Sequence, residues 1–238
     1  MIKFFRKLRY SLINQDNMGK YFKYAIGEIL LVVIGILIAL QVNNWNETRK
    51  MEKNLQNIYG IIESDLEGDI AKIQQIIEFY NTRKPYVNHV LDNELTESDY
   101  TDSTYFNLIT YAPHVSVTTR GFDLLINSLN NSADKDSLQV SLTEFYNSTI
   151  SRFEFLQNYM VEDIEDNFSN WKDTYEWYPD YILNKNLDEF IAYTITNPEY
   201  KNRVANYYFV HYSISINYLN EFIYLANEAI NLIHTSND

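Results

Sequence analysis

The 238-residue sequence has no cysteine, only six glycines and only four prolines. Without Cys there are no disulfides, thiolate metal sites, iron–sulfur clusters or cysteine nucleophiles. So few Gly and Pro cannot supply the repeated tight turns of a β-sandwich or barrel, nor a glycine-rich loop for phosphate. Basic residues are scarce as well: 19 Lys and Arg against 32 Asp and Glu leave a formal charge of −13. That balance speaks against nucleic acid as the main partner, because binding to phosphates rests on Lys and Arg displacing counterions. What is present, with 46% hydrophobic residues, is a mostly helical chain long enough to bury a sizeable core.

The strongest signal is AIGEILLVVIGILIALQV, residues 25–42, where Ile29 to Leu40 are all apolar or small. At ~1.5 Å per residue this stretch spans ~27 Å, close to the ~30 Å hydrocarbon core of a bilayer. It reads as a transmembrane helix rather than a buried core helix. A cleaved signal peptide is the other rival, but the segment continues as NNWNE with no small-x-small cleavage site. Residues 1–23 carry six basic residues against the single acid Asp16, whereas the other flank offers Arg49, Lys50 and Lys53. The positive-inside rule therefore places the N-terminus in the cytoplasm, with Tyr24 and Trp45 as interfacial anchors. A total of −13 then leaves −18 for residues 24–238, a basic foot and an acidic body. Within the foot, Met1, Phe5, Leu8 and Leu12 share one helical face, which suits a helix lying on an anionic leaflet as well as it suits a disordered tail. Glu28 shares a face of the span with Gly35 and Ala39, a small-xxx-small pair that lets helices approach closely. Glu28 reads either as polar glue between copies or as an acid near enough to the boundary to snorkel toward water.

The opening MIKFFRKLR and the run KYAIGEILLVVIGILIALQVNNWNE resemble a family of short membrane-anchored proteins of the Bacteroidota, a domain of unknown function. A weaker part of the resemblance lies at Phe122-x-x-Leu125-x-x-Ser128 and at Asp136-Ser137-Leu138 through Tyr146, without the Gly expected soon after Ser128. It implies an inner-membrane anchor with a variable helical domain, and it brings no activity and no catalytic residues.

Beyond the span, apolar residues recur at steps of three and four. The first run goes from Met51 through Leu55, Ile58, Ile62, Leu66 and Ile73 to Tyr80 and ends at Pro85. The second goes from Leu138 through Phe145, Phe153, Met160, Ile164 and Phe168 to Trp171. The third starts at Asn197-Pro198, a cap followed by proline at the first helical position, and reaches Leu232. Three helices of similar length predict one long bundle. Shorter helices are expected at 85–92, 103–111, 119–129 and 187–195.

Few residues in this part point to chemistry. A di-iron carboxylate bundle needs Glu-x-x-His pairs, yet the residues three before the four histidines are Tyr86, Tyr111, Tyr208 and Asn231. His211 falls on the apolar stripe of the third helix and reads as a hydrogen-bonded core histidine before it reads as a ligand. The run Glu162-Asp163-Ile164-Glu165-Asp166 lacks the alternating ligands and Gly of a Ca²⁺ loop, so it reads as a solvated face. Asp65 and Asp69, one turn apart beside the first stripe, mark either a polar layer, a cation site or plain helix-edge acids. No nucleophile, zinc or phosphate motif is present. The 21 tyrosines, many on the stripes, pack their rings while their hydroxyls seek polar partners.

The sequence thus reads as all-α. It comprises a cytoplasmic segment 1–23, a transmembrane helix 24–43 and an extracytoplasmic helical domain 44–238, anchored in a bacterial inner membrane. No cofactor, metal or enzymatic activity is expected. The expected partners are the lipid bilayer, further copies through Glu28, Gly35 and Ala39, and an envelope protein. The alternative is a ligand-sensing bundle that signals through a partner protein.

Overall fold

In the computed structural model, residues 18–129 and 137–236 are described; the expected amphipathic face of residues 1–12 and the loop 130–134 lie outside them. Helix α1 spans Met18–Leu91. Its Ala25–Leu91 stretch holds an 18-residue window with mean hydropathy 2.6, none of it buried, so the described residues include one helix, near the N-terminus, long and apolar enough to cross a membrane. Ten large aliphatic side chains between Ile29 and Leu40 are 44 to 65% exposed. At ~1.5–3 kcal/mol for each such side chain moved fully out of water, their exposure rivals the ~5–15 kcal/mol that holds an ordinary domain together. Trp45, at the polar end of this segment, lies under the Arg49 guanidinium at 5.8 Å.

The chain divides into two units, Met1–Gln56 and Asn57–Asp238. In the second, the 57–91 part of α1 is followed by 3-10 turns at Glu97–Thr101 and Ser103–Asn107, and an extended stretch at 111–119. Then come α2 (Arg120–Leu129), α3 (Ser137–Thr174), α4 (Tyr178–Ile182) and α5 (Asp188–Thr196). A last helical run consists of α6 (Pro198–Tyr207), a π-helical segment (Tyr208–Ile214) and α7 (Ser215–Ser236). No strand occurs among the described residues, and the fold is all-α as the periodicity predicts. The core lies where the three long stripes meet: Ile62, Leu66 and Tyr80 of α1, Leu142, Leu156 and Met160 of α3, and Val204, Leu219 and Ala226 of the last run are fully buried.

Pro85 does not end α1. The residue lies inside the helix, and the separate helix expected at 85–92 is the last turns of α1. A proline here forfeits one ladder hydrogen bond and crowds the carbonyl four residues back, at ~3 kcal/mol. The residues after it offset that cost, because Val87 and Val90 are buried and the Tyr86 hydroxyl donates to Asp102 at 2.7 Å. The helix stops at Leu91 instead, and its closure lies two residues further on. Asn93 takes φ 63, and the amides of Asn93 and Glu94 return to the carbonyls of Val90 and His89, the paired closure that favours Asn or Gly at that position.

The helix expected at 103–111 is replaced by the two 3-10 turns. Asp102 accepts from the Thr104 amide, and Thr96 and Asp99 cap each other. These local bonds compete with α-helical ones, while buried Tyr100 and Tyr105 pin each turn to the core. The α4 turn, begun by Pro179, carries no stripe long enough to be read.

The π segment is invisible to a 3.6-residue stripe. It is held by Ser215, fully buried, whose hydroxyl and amide both reach the carbonyl of Val210 five residues back. At the start of α2, Gly121 faces the α1 backbone: a Cβ there would stand 2.7 Å from Ile62 Cγ1 and 2.8 Å from the Ile62 nitrogen.

Candidate functional site

The acids and the histidine that the sequence singles out fall into two separate polar clusters of the second unit. Asp69, 1% exposed, accepts from the Thr118 amide at 2.6 Å, the Thr118 hydroxyl at 2.8 Å and Lys72 Nζ at 3.1 Å. Asp65, also buried, accepts from Arg120 Nη2 at 2.7 Å and the Gly121 amide at 2.8 Å. One carboxylate therefore meets the positive end of the α2 dipole and the other the extended stretch just before it. Their i, i+4 spacing on α1 brackets residues 118–121 against that helix. With those donors in place the pair is a polar layer of the fold, and no group of three metal-ligating side chains occurs among the described residues.

His211 sits in the π segment, 0% exposed. Its Nε2 lies 3.1 Å from Asp163 Oδ2 on α3, and its Nδ1 lies 3.1 Å from the Tyr80 hydroxyl on α1. A carboxylate only accepts, so Nε2 carries the proton and donates, which leaves Nδ1 to accept from Tyr80. Burial lowers the His211 pKa below the ordinary histidine range, opposed by the Asp163 hydrogen bond. Burial likewise drives the Tyr80 phenol far above its usual range. Both shifts keep the chain in the form that the geometry requires, with a protonated phenol and a neutral imidazole. The imidazole stacks on Tyr207 at 4.0 Å, and the Tyr207 hydroxyl donates to the Tyr111 carbonyl at 2.8 Å. Tyr80, His211 and Asp163 so join α1, the last helical run and α3 through one buried line of hydrogen bonds.

Asp163 also borders an open polar pocket of about 260 Å³ between α3 and α6. At its centre Arg203 donates through Nη1 to Asp166 at 2.8 Å and Asn167 at 2.9 Å, and through Nε to Glu199 at 3.1 Å. Burial disfavours the guanidinium charge, and the bonds to Asp166 and Glu199 more than offset that, so its pKa rises. Asn206 donates to Asp163 Oδ1 from the same wall. The pocket can present three carboxylates and one fixed cation to a polar solute; His211 behind it has no access to solvent.

Asp163 and Arg203 are the residues that sequence reasoning missed. The acidic run at 162–166 is not a uniform solvated face: Glu162, Glu165 and Asp166 are exposed, whereas Asp163 is buried. The buried positions of α3 run Leu156, Met160, Asp163, Asn167 and Trp171, one residue out of phase with the Ile164 and Phe168 stripe. Asn167, which donates to the Ile109 carbonyl at 3.0 Å, belongs to the same line. A stripe scored on geometry rather than on hydrophobicity finds both. In the first unit, Glu28 is half-exposed, Gly35 and Ala39 are exposed, and a Cβ at Gly35 would meet open space.

Among known families, residues 28–170, more than half of the chain, match a family of unknown function, DUF6090. No curated protein and no solved structure matches the chain.

Proposed function

We propose a role for this chain, which belongs to that family of unknown function, as a membrane-anchored, non-enzymatic interaction or assembly protein of a bacterial inner membrane. In this reading residues 24–43 cross the bilayer, residues 1–23 remain in the cytoplasm and residues 44–238 form a periplasmic helical domain that engages another envelope protein. The observation that carries it is the run of ten exposed aliphatic side chains on α1, which is favourable in lipid and costly in water. The excess of Lys and Arg before the span supports the orientation. The face of Glu28, Gly35 and Ala39 supports contact between copies in the membrane. The saturation of Asp65, Asp69, Asp163 and His211 by internal partners favours a binding role over catalysis, since a reacting group must be reachable. A second reading, a ligand sensor that signals through a partner, is favoured by the Arg203 pocket and the buried hydrogen-bond line from Asp163 to Tyr80 on α1. Purifying the full chain in mild detergent and identifying stoichiometric companions by mass spectrometry separates the readings. A protein companion is expected. A companion-free chain carrying a small molecule moves the assignment to the sensor, and turnover abolished by Asp163→Asn moves it to an enzyme.

A further inference from the structure

The stretch between the second 3-10 turn and α2 is extended over residues 111–119, with neither helix nor ladder. It is pinned from two sides: the Val115 amide donates to Gln157 Oε1 of α3 at 2.7 Å, and the Thr118 amide to Asp69 of α1 at 2.6 Å. Val115 is buried while His114 and Ser116 are exposed, the period-two alternation of a strand. Between this stretch and α3 runs a groove of about 510 Å³, a volume typical of ligand sites at ~300–1,000 Å³. Val115, Val117, Ile150 and Phe153 give it an apolar lining, and Glu154 is an exposed acid on its wall. No Lys or Arg lines it, and the charge of residues 24–238 is −18. The main-chain N–H groups of Ser116 and Val117 make no hydrogen bond among the described residues. Successive N–H groups of an extended chain point to opposite sides, so the free Val117 N–H lies on the side of Val115, which faces α3, and an edge with a free donor beside a groove is a template for a further strand.

We propose that this groove docks an extended, basic segment of a partner protein. The segment adds as a strand beside residues 114–117, seats alternate apolar side chains on Ile150 and Phe153, and places a Lys or Arg against Glu154. This rests on the interaction reading above and names its site and the chemistry of its partner. Main-chain bonds give the affinity and the alternating side chains the selectivity.

The test uses the full chain in lipid nanodiscs and two labelled peptides of equal charge, acetyl-Lys-Val-Lys-Val-Lys-amide and acetyl-Lys-Pro-Lys-Pro-Lys-amide. Proline has no N–H to pair, so the second peptide should bind at least tenfold more weakly than the first. Glu154→Gln should weaken the first peptide several-fold. Val117→Pro, which removes a donor in a stretch already extended, should abolish its binding with an unchanged melting curve. If Val117→Pro fails to fold, the peptide pair and Glu154→Gln still decide. Equal binding of the two peptides, equal binding to wild type and Glu154→Gln, or no binding at millimolar peptide overturns the proposal. So does a dimer in solution that Val117→Pro dissociates, because the occupant is then a second copy. A protein companion retained at the wild-type level by Val117→Pro and Glu154→Gln refutes this groove while leaving the interaction reading intact; a wild-type chain with no companion refutes that reading itself.

Discussion

Replacing Gly121 by Ala sets two physical effects against each other. Within a helix, Ala is favoured over Gly by ~1 kcal/mol, so on propensity alone the substitution in α2 stabilises. The added Cβ, however, would lie 2.7 Å from Ile62 Cγ1, 2.8 Å from the Ile62 nitrogen and 2.9 Å from its Cα. Two of these atoms are backbone of α1, and Ile62 is fully buried, so α2 must move bodily away. Overpacking of this kind costs ~1–3 kcal/mol. The same movement stretches the Gly121 amide from Asp65, 2.8 Å away, and a weakened hydrogen bond to a buried carboxylate costs a further ~1.5–3 kcal/mol. The net expectation is a loss of ~2–4 kcal/mol, or a Tm lower by roughly 5–15 °C for a chain of this size. Gly68→Ala is the control, because a Cβ there meets nothing within 4 Å and only the propensity gain remains. Thermal unfolding of the two variants beside wild type, followed by circular dichroism in one detergent, should place Gly121→Ala below wild type and Gly68→Ala at or above it. A Gly121→Ala protein as stable as Gly68→Ala would refute the close approach of α2 to α1.

Asp69→Ala leaves the half-buried Thr118 amide and hydroxyl without their acceptor and should cost ~1–3 kcal/mol by urea unfolding. Tyr146→Phe removes a buried hydroxyl that has no hydrogen-bond partner among the described residues, so the loss should be near zero or a gain of ~1 kcal/mol in the same assay. His211 gives the pH dependence: because burial lowers its folded pKa, its contribution is complete above the unfolded value and is lost as pH falls through the folded one. Urea midpoints measured from pH 8 down to pH 5 should fall more steeply for wild type than for His211→Gln, and parallel slopes would contradict a buried neutral imidazole.

The long helices were legible because their stripes are made of strongly apolar residues at unbroken spacing, and α3 begins and ends within a few residues of the expected bounds. Pro85 misled because a local cost was weighed without the tertiary contacts of Val87 and Val90 that offset it. The 3-10 turns at 97–107 and the π segment at 208–214 escaped for a related reason. Their hydrogen-bond registers depend on single side chains such as Asp102 and Ser215 rather than on a repeating pattern. Of the polar positions, His211 was marked by its place on a stripe, and Asp65 and Asp69 by their spacing. Asp163 was hidden inside an acidic run whose neighbours are exposed. Arg203 and the groove beside residues 114–119 arise from segments far apart in sequence, and no local spacing announces them.

Residues 25–42 are proposed to cross a membrane with the helical domain on the outer side. The absence of Cys makes one measurement direct: single cysteines introduced as Ser11→Cys and Ser236→Cys, probed with a membrane-impermeant maleimide on spheroplasts before and after permeabilisation. Labelling of Ser236→Cys in intact spheroplasts, with Ser11→Cys labelled only after permeabilisation, is the expected result. The reverse pattern, or equal labelling of both together with release of the chain into the soluble fraction, would contradict that placement.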